Sequence, residues 1–170
     1  MRTFIVCTIL VFCCLAISCR GWAYRVPTEN MLPTIKVGDT CIINKFEYSS
    51  NPIQRFDIVV LNAPDDLKKR SDEKDIKIIK RIIGLPNEKI EIKNNRIYIN
   101  DKLLDEEFEK IVDDKDVKKD FSAITISENE YFLLGDNRPD SFDSRYWKKP
   151  TIEKVNILGK VVQIIPAKEK

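Results

Sequence analysis

The sequence predicts a mainly β protein, because its apolar residues form short runs rich in Ile and Val, with almost no helical periodicity. Five such runs are residues 40–44, 57–61, 76–83, 131–134 and 155–165. The last of them is interrupted at Gly159. Only residues 65–75 and 103–112 carry a weak helical pattern, so we expect strands to form the core.

A β-hairpin is predicted within residues 89–100. Apolar and polar residues alternate in 89–93 and again in 96–100, and this places four isoleucines on one face, namely Ile90, Ile92, Ile97 and Ile99. Asn94 and Asn95 between the two runs suit a two-residue turn, because Asn tolerates positive φ angles. Residues 101–120, of which 14 are charged, come after the hairpin and are interpreted as a solvated excursion. The hairpin and this charged region together read as an insertion.

The first twenty residues differ from the rest of the 170-residue chain. Residues 3–19 carry no charge, and a membrane-spanning helix needs about 17 to 25 such residues. Trp22 and Tyr24 come next, and both side chains suit a membrane interface. We therefore interpret residues 1–24 as a single-pass anchor, with two alternatives: a cleaved secretory signal, or a lipoprotein signal lipidated at Cys19.

Composition excludes several classes of function. Two of the 29 basic residues lie in residues 1–20, so the rest of the chain has 27 basic against 27 acidic residues, which argues against nucleic-acid binding. With no histidine in the chain, Ser-His-Asp triads, Cys-His dyads and His-ligated zinc are excluded. Cys41, the only cysteine beyond residue 20, reads as a core strand residue. We expect no metal and no cofactor, and a hydrolase here needs Lys, Asp or Glu as its base.

Four stretches that contain candidate functional residues follow the apolar segment. They are residues 27–39 (PTENMLPTIKVGD), 55–60 (RFDIVV), 79–86 (IKRIIGLP) and 135–145 (GDNRPDSFDSR). The third places a lysine among aliphatic residues, and the fourth collects acidic, hydroxyl and guanidinium groups.

These stretches resemble the type I signal peptidases, over about residues 25–165. The resemblance implies a signal-peptidase-like β-barrel core in a catalytic domain of residues 25–170, with an inserted cap at about 88–128 and one N-terminal transmembrane helix. The family cleaves signal peptides from exported proteins at the outer face of the membrane, and it uses a Ser/Lys dyad. Its members prefer small residues at the first and third positions before the cut.

The family's roles carry over to most positions of the site. Lys80 matches the general base, Ser141 the hydroxyl that orients it, and Thr28 the hydroxyl that helps to hold the oxyanion. The charged residues that brace the site are Arg81, Asp136, Asp143 and Arg145. Met31 matches a residue beside the substrate groove, although core packing is an equal interpretation.

Position 30 departs from the family pattern, because Asn30 stands where the nucleophilic serine belongs. An amide nitrogen has its lone pair delocalised into the carbonyl, so Asn30 cannot form the ester intermediate. We therefore predict a folded scaffold with catalysis lost or severely impaired. Three interpretations stay open: a pseudo-peptidase that binds signal peptides or a sister peptidase, a substituted form of a competent enzyme, and a peptidase with another nucleophile.

A second departure is Phe56, which replaces a residue that is usually Gly in the family, and we expect it to crowd a turn. The expected partners are signal peptides of exported preproteins and the membrane. The expected location is a bacterial plasma membrane or an organellar inner membrane, with the catalytic domain on its outer face.

Overall fold

A computed structural model describes residues 21–69, 75–105 and 120–168. The described strands are β1 (Gly21–Arg25), β2 (Thr40–Asn44), β3 (Ile58–Asn62), β4 (Lys77–Gly84), β5 (Lys89–Lys93), β6 (Arg96–Ile99), β7 (Lys102–Leu103), β8 (Phe121–Thr125), β9 (Glu130–Leu134), β10 (Ile152–Glu153) and β11 (Ile157–Ile165). The helices are the four-residue α1 (Glu47–Ser50) and α2 (Asp65–Lys68) and a 3-10 turn (Lys154–Asn156). The mainly β prediction is therefore confirmed.

The strands form two antiparallel sheets. The larger has the order β1-β2-β11-β3-β4-β9-β10, and the smaller has the order β7-β6-β5-β8. The order of the larger sheet is open, with β1 and β10 as its two edges, so its described strands do not close into the predicted barrel.

The larger sheet nevertheless curls. Three strands separate β1 from β4 in the sheet order, yet the Tyr24 hydroxyl of β1 donates a hydrogen bond of 2.9 Å to the Lys77 carbonyl of β4. Strand β11, in the middle of the sheet, has register shifts between Ile157 and Gly159 and between Val161 and Gln163, and such bulges increase bend and twist. The result is a half-barrel.

The predicted hairpin is present in the smaller sheet. Strands β5 and β6 pair from Lys93 with Arg96 onward, and Asn94 and Asn95 have φ angles of 50° and 61°. The four isoleucines of the hairpin are buried and pack in one cluster with Ile83, Phe132 and Leu134 of the larger sheet. This shared cluster joins the two sheets.

Other predictions need correction. Helix α2 ends at Lys68 rather than near residue 75. Of the second weak helical pattern, at residues 103–112, Leu103 belongs to strand β7, and residues 106–112 lie outside the described residues. Residues 21–24, grouped with the membrane anchor on sequence grounds, lie in strand β1, which pairs with β2 from Gly21 to Arg25. Cys41 is fully buried in β2, as predicted.

The apolar segment of residues 3–19 lies outside the described residues. Among the residues that are described, no helix has the length and apolar character needed to cross a membrane.

Candidate active site

A cavity of about 610 Å³ lies beside the first half of β4. Its walls are mostly apolar and include Trp22 and Tyr24 of β1, Ile78 and Ile79 of β4, and Phe142. The polar groups of its lining include Thr28, Asn30 and Lys80. The structure therefore brings the expected general base, the nucleophile position and the oxyanion-site position to one cavity.

Lys80 lies in β4, a strand that is buried from Ile79 to Gly84. Its side chain is only 1% exposed, and its Nζ lies 3.0 Å from the Ser141 Oγ. Burial lowers the pKa of Lys80 to about 8, because the ammonium loses its hydration. The carboxylates of Asp143 and Asp136 oppose this shift, whereas Arg145 reinforces it. Lys80 is therefore partly deprotonated near neutral pH, as a general base must be.

Two buried ion pairs lie near this lysine, one between β4 and the loop after β9 and one within that loop. Arg81 donates to Asp136 through Nε at 2.8 Å and through Nη2 at 2.6 Å. Arg145 donates to Asp143 through Nε at 2.8 Å and through Nη2 at 2.9 Å. Each guanidinium uses two nitrogens on one carboxylate, a geometry that fixes both partners. The four residues that were expected to brace the site are therefore joined as two ion pairs.

Hydrogen bonds with this loop fix the backbone at position 30, the expected nucleophile position. The Asn137 N–H donates to the Asn30 carbonyl at 3.1 Å, and the Asn137 side-chain amide donates to the Glu29 carbonyl at 3.0 Å. The Thr34 hydroxyl donates to the Asp136 Oδ2 at 2.5 Å, which is a further hydrogen bond between residues 29–34 and this loop. Residues 29–34 are therefore tied to the loop that carries Ser141.

Gly135 lies where these parts meet. A Cβ added there would stand 2.2 Å from the Ser141 Oγ and 2.4 Å from the Asn30 carbonyl oxygen, much closer than atoms can approach. The absence of a side chain at this position thus allows position 30 and Ser141 to approach each other.

Thr28 and Met31 occupy different environments. Thr28 is exposed on the cavity wall, so its hydroxyl is accessible. Met31 is fully buried and packs with Ile35, Cys41 and Val60, which favours the core-packing interpretation over a place beside the groove.

Several contacts of the site were not predicted from sequence. Asn137 and Thr34 lie inside the motifs, but their partners are distant in sequence and no local pattern predicts them. Trp22 and Tyr24 line the cavity although they were assigned to the membrane interface, because an aromatic pair after an apolar segment suits either place. Among the described residues no group of acidic or cysteine side chains could hold a metal ion.

Comparisons with known proteins identify the family. The sequence model of the family described as "Signal peptidase, peptidase S26" matches residues 1–165. A signal peptidase I of Leptolyngbya laminosa is 34% identical over 82% of this chain and 66% of its own length. A probable signal peptidase I-2 of Synechocystis is 34% identical over 74% of this chain and 55% of its own length.

A solved structure agrees with these sequence matches. The crystal structure of a signal peptidase I from Enterococcus faecalis superposes with a TM-score of 0.54 and 29% identity, covering 66% of this chain and 98% of that one. The chain spans less than two thirds of the length of the two curated relatives from Leptolyngbya and Synechocystis. The family model nevertheless matches almost the whole chain, and the chain belongs to the signal peptidase family, peptidase S26.

Proposed function

We propose that this chain binds signal peptides of exported preproteins in the manner of a signal peptidase I, with hydrolysis lost or severely impaired by Asn30. The observation that carries the proposal is the contact between Lys80 and Ser141. A lysine that is 1% exposed, with a lowered pKa and a hydroxyl 3.0 Å from its Nζ, is a costly arrangement suited to a general base.

An open strand edge beside Lys80 supports peptide binding. The Ala63 N–H donates to the Ile76 carbonyl, so Ile76 faces β3, and by alternation the Lys77 and Ile79 carbonyls face the opposite side. On that side β9 pairs with β4 only from Arg81 onward. Among the described strands, none pairs with the Lys77 to Lys80 part of this edge. An extended peptide can add here as a strand, with its side chains in the apolar cavity.

The side chain at position 30 determines whether a bound peptide is cleaved. A neutral Lys80 amine could take a proton from a serine hydroxyl at this position, but Asn30 offers an amide with no nucleophilic oxygen of that kind. Thr28 has an exposed hydroxyl on the same cavity, two residues away, and is the alternative nucleophile. In the proposed arrangement Thr28 instead helps to hold the oxyanion, while Arg81, Asp136, Asp143 and Arg145 brace the site.

We also propose a place for the protein in the cell. Residues 3–19 anchor it in a bacterial plasma membrane or an organellar inner membrane, and the β domain lies on the outer face. Support for this placement comes from the uncharged length of the segment and from the family match, which includes it. In this scheme hydrolysis needs no metal or cofactor.

The retained base and its braces favour a second candidate, a substituted form of an otherwise competent peptidase. If several residues of the site had lost their function, we would not expect the contact between Lys80 and Ser141 and both buried ion pairs to be present together. The two candidates differ in whether a single substitution restores cleavage.

The test compares the full-length chain in detergent with its Asn30→Ser variant on a signal-peptide substrate that contains Ala-x-Ala. A double variant, Asn30→Ser with Lys80→Met, is the control for the base. We expect near-background cleavage by the parent, and an increase on the order of 10⁵- to 10⁶-fold in the single variant only. Equal cleavage by parent and single variant would overturn the lost-nucleophile proposal.

Failure of both proteins to cleave would exclude the substituted-enzyme candidate. Direct binding of the same peptide to the parent chain would then support the pseudo-peptidase candidate, and absence of binding would exclude it. Cleavage by the parent that disappears in Thr28→Val, together with cleavage that persists in the Asn30→Ser, Thr28→Val double variant, would instead identify Thr28 as the nucleophile of the parent.

A further inference from the structure

Tyr24 bridges the cavity from one wall to the other. Its ring belongs to β1 and lines the cavity, whereas its hydroxyl donates to the Lys77 carbonyl of β4 at 2.9 Å. The ring is held by an edge-to-face contact with Trp22, with ring centroids 5.8 Å apart. The hydroxyl therefore contacts the same open edge of β4 that is proposed to receive a peptide.

The Lys77 carbonyl is one of the two acceptors that this edge presents. Because carbonyls alternate along the strand, Lys77 and Ile79 turn theirs away from β3. The Tyr24 hydroxyl stands at the distance from the Lys77 oxygen that a peptide N–H would take. A peptide that extends as far as Lys77 has to displace this hydroxyl, whereas one that ends at Ile79 does not.

We propose that Tyr24 is a specificity-determining residue that limits how far an extended peptide pairs along β4. With the hydroxyl in place, the groove between the cavity and the edge of β4 can accept a peptide backbone at its Lys80 end but not at its Lys77 end. For a peptide that runs parallel to β4, with its amino end toward Lys77, the protein then favours peptides that make few backbone contacts upstream of the cleavage position. This inference rests on the proposed function, because it concerns the same peptide and the same groove.

The substitution Tyr24→Phe tests the inference, because it removes one oxygen and keeps the ring against Trp22. The matched control is Tyr98→Phe in β6, a strand of the smaller sheet whose residues do not line the cavity. Both variants are made in the whole chain and keep Asn30. Cleavage is therefore not expected, and the binding affinity for the peptide is measured. The probes are two synthetic signal peptides with Ala-x-Ala, a long one and one truncated from its amino end.

The expected result is that Tyr24→Phe binds the long peptide about three- to tenfold more tightly than the parent, since one competing hydrogen bond is gone. The truncated peptide should bind parent and Tyr24→Phe equally, and Tyr98→Phe should match the parent with both. In a scan of singly N-methylated long peptides, the gain should vanish at one position, the residue whose N–H binds Lys77. A structural role alone would change the binding of both peptides alike.

Equal or weaker binding of the long peptide by Tyr24→Phe would overturn the inference and leave the proposed function standing. A gain of the same size for the truncated peptide would also overturn it. If neither peptide binds the parent or either variant, the proposed function fails, and the inference fails with it.

Discussion

The side-chain nitrogen of Lys80 lies 3.0 Å from the hydroxyl oxygen of Ser141, and both side chains are almost completely buried. The two residues are 61 positions apart in the chain, and their contact depends on a loop fastened by two guanidinium–carboxylate pairs. This contact holds the amine of Lys80 in one orientation and satisfies a polar group that would otherwise be costly to bury.

The pH dependence of cleavage should reflect the lowered pKa of Lys80. In the Asn30→Ser variant, the rate should rise as Lys80 loses its proton and should level off above its pKa of about 8. The measurement is the initial rate from pH 6 to 10 at saturating peptide, with folding checked at each pH. A rate that keeps rising toward pH 10.5, the ordinary value for lysine, would contradict the assignment of Lys80 as the base.

The stability of the fold should depend on the same proton. The pKa of Lys80 is about 8 in the folded chain and 10.5 when it is exposed by unfolding, so the unfolded state binds more protons between these values. The free energy of unfolding should therefore rise with pH from about 8 to 10.5, relative to a Lys80→Met variant.

Urea denaturation of both proteins at several pH values measures this difference, and other titrating groups cancel in the comparison. A parent and a variant with parallel pH profiles would show that the pKa of Lys80 is not lowered in the folded chain.

Much of the fold was predictable because it is encoded locally. The isoleucines of the hairpin alternate with polar residues, and Asn94 and Asn95 adopt the positive φ angles that the turn needs, so one short segment specifies its own pairing. Strand β1 was not predicted, because Trp22 and Tyr24 come directly after an apolar segment and their partner strand β2 begins only at Thr40.

The site was predictable to the extent that its motifs are contiguous. The sequence identifies Lys80 and the loop of residues 135–145 as parts of one motif set, but it does not encode the distances between them. The hydrogen bonds from Asn137 to Glu29 and from Tyr24 to Lys77 depend on how the sheet curls, and no local pattern reports that.

The buried ion pairs should matter far more to stability than the exposed ones. Arg145→Met would leave the fully buried Asp143 carboxylate without its cation, at a cost of about 3 to 5 kcal/mol in unfolding free energy. The matched control is Lys89→Met, which breaks the exposed pair with Asp101 and should change stability little. Chemical denaturation of the three proteins measures both effects, and similar losses in the two variants would refute the distinction.

The backbone at Phe56 gives a last prediction. Phe56 has a φ angle of 72°, in the left-handed region that glycine adopts without strain, and this is where the family usually has Gly. Its N–H donates to the Ile82 carbonyl and its own carbonyl accepts from Arg81 Nη1, so the strained turn is fixed on both sides. Phe56→Gly and Phe56→Ala both remove the ring, but only the alanine variant keeps the strain. We expect the glycine variant to be more stable than the alanine variant by about 1 kcal/mol in urea denaturation, and a more stable alanine variant would mean that the turn relaxes to negative φ.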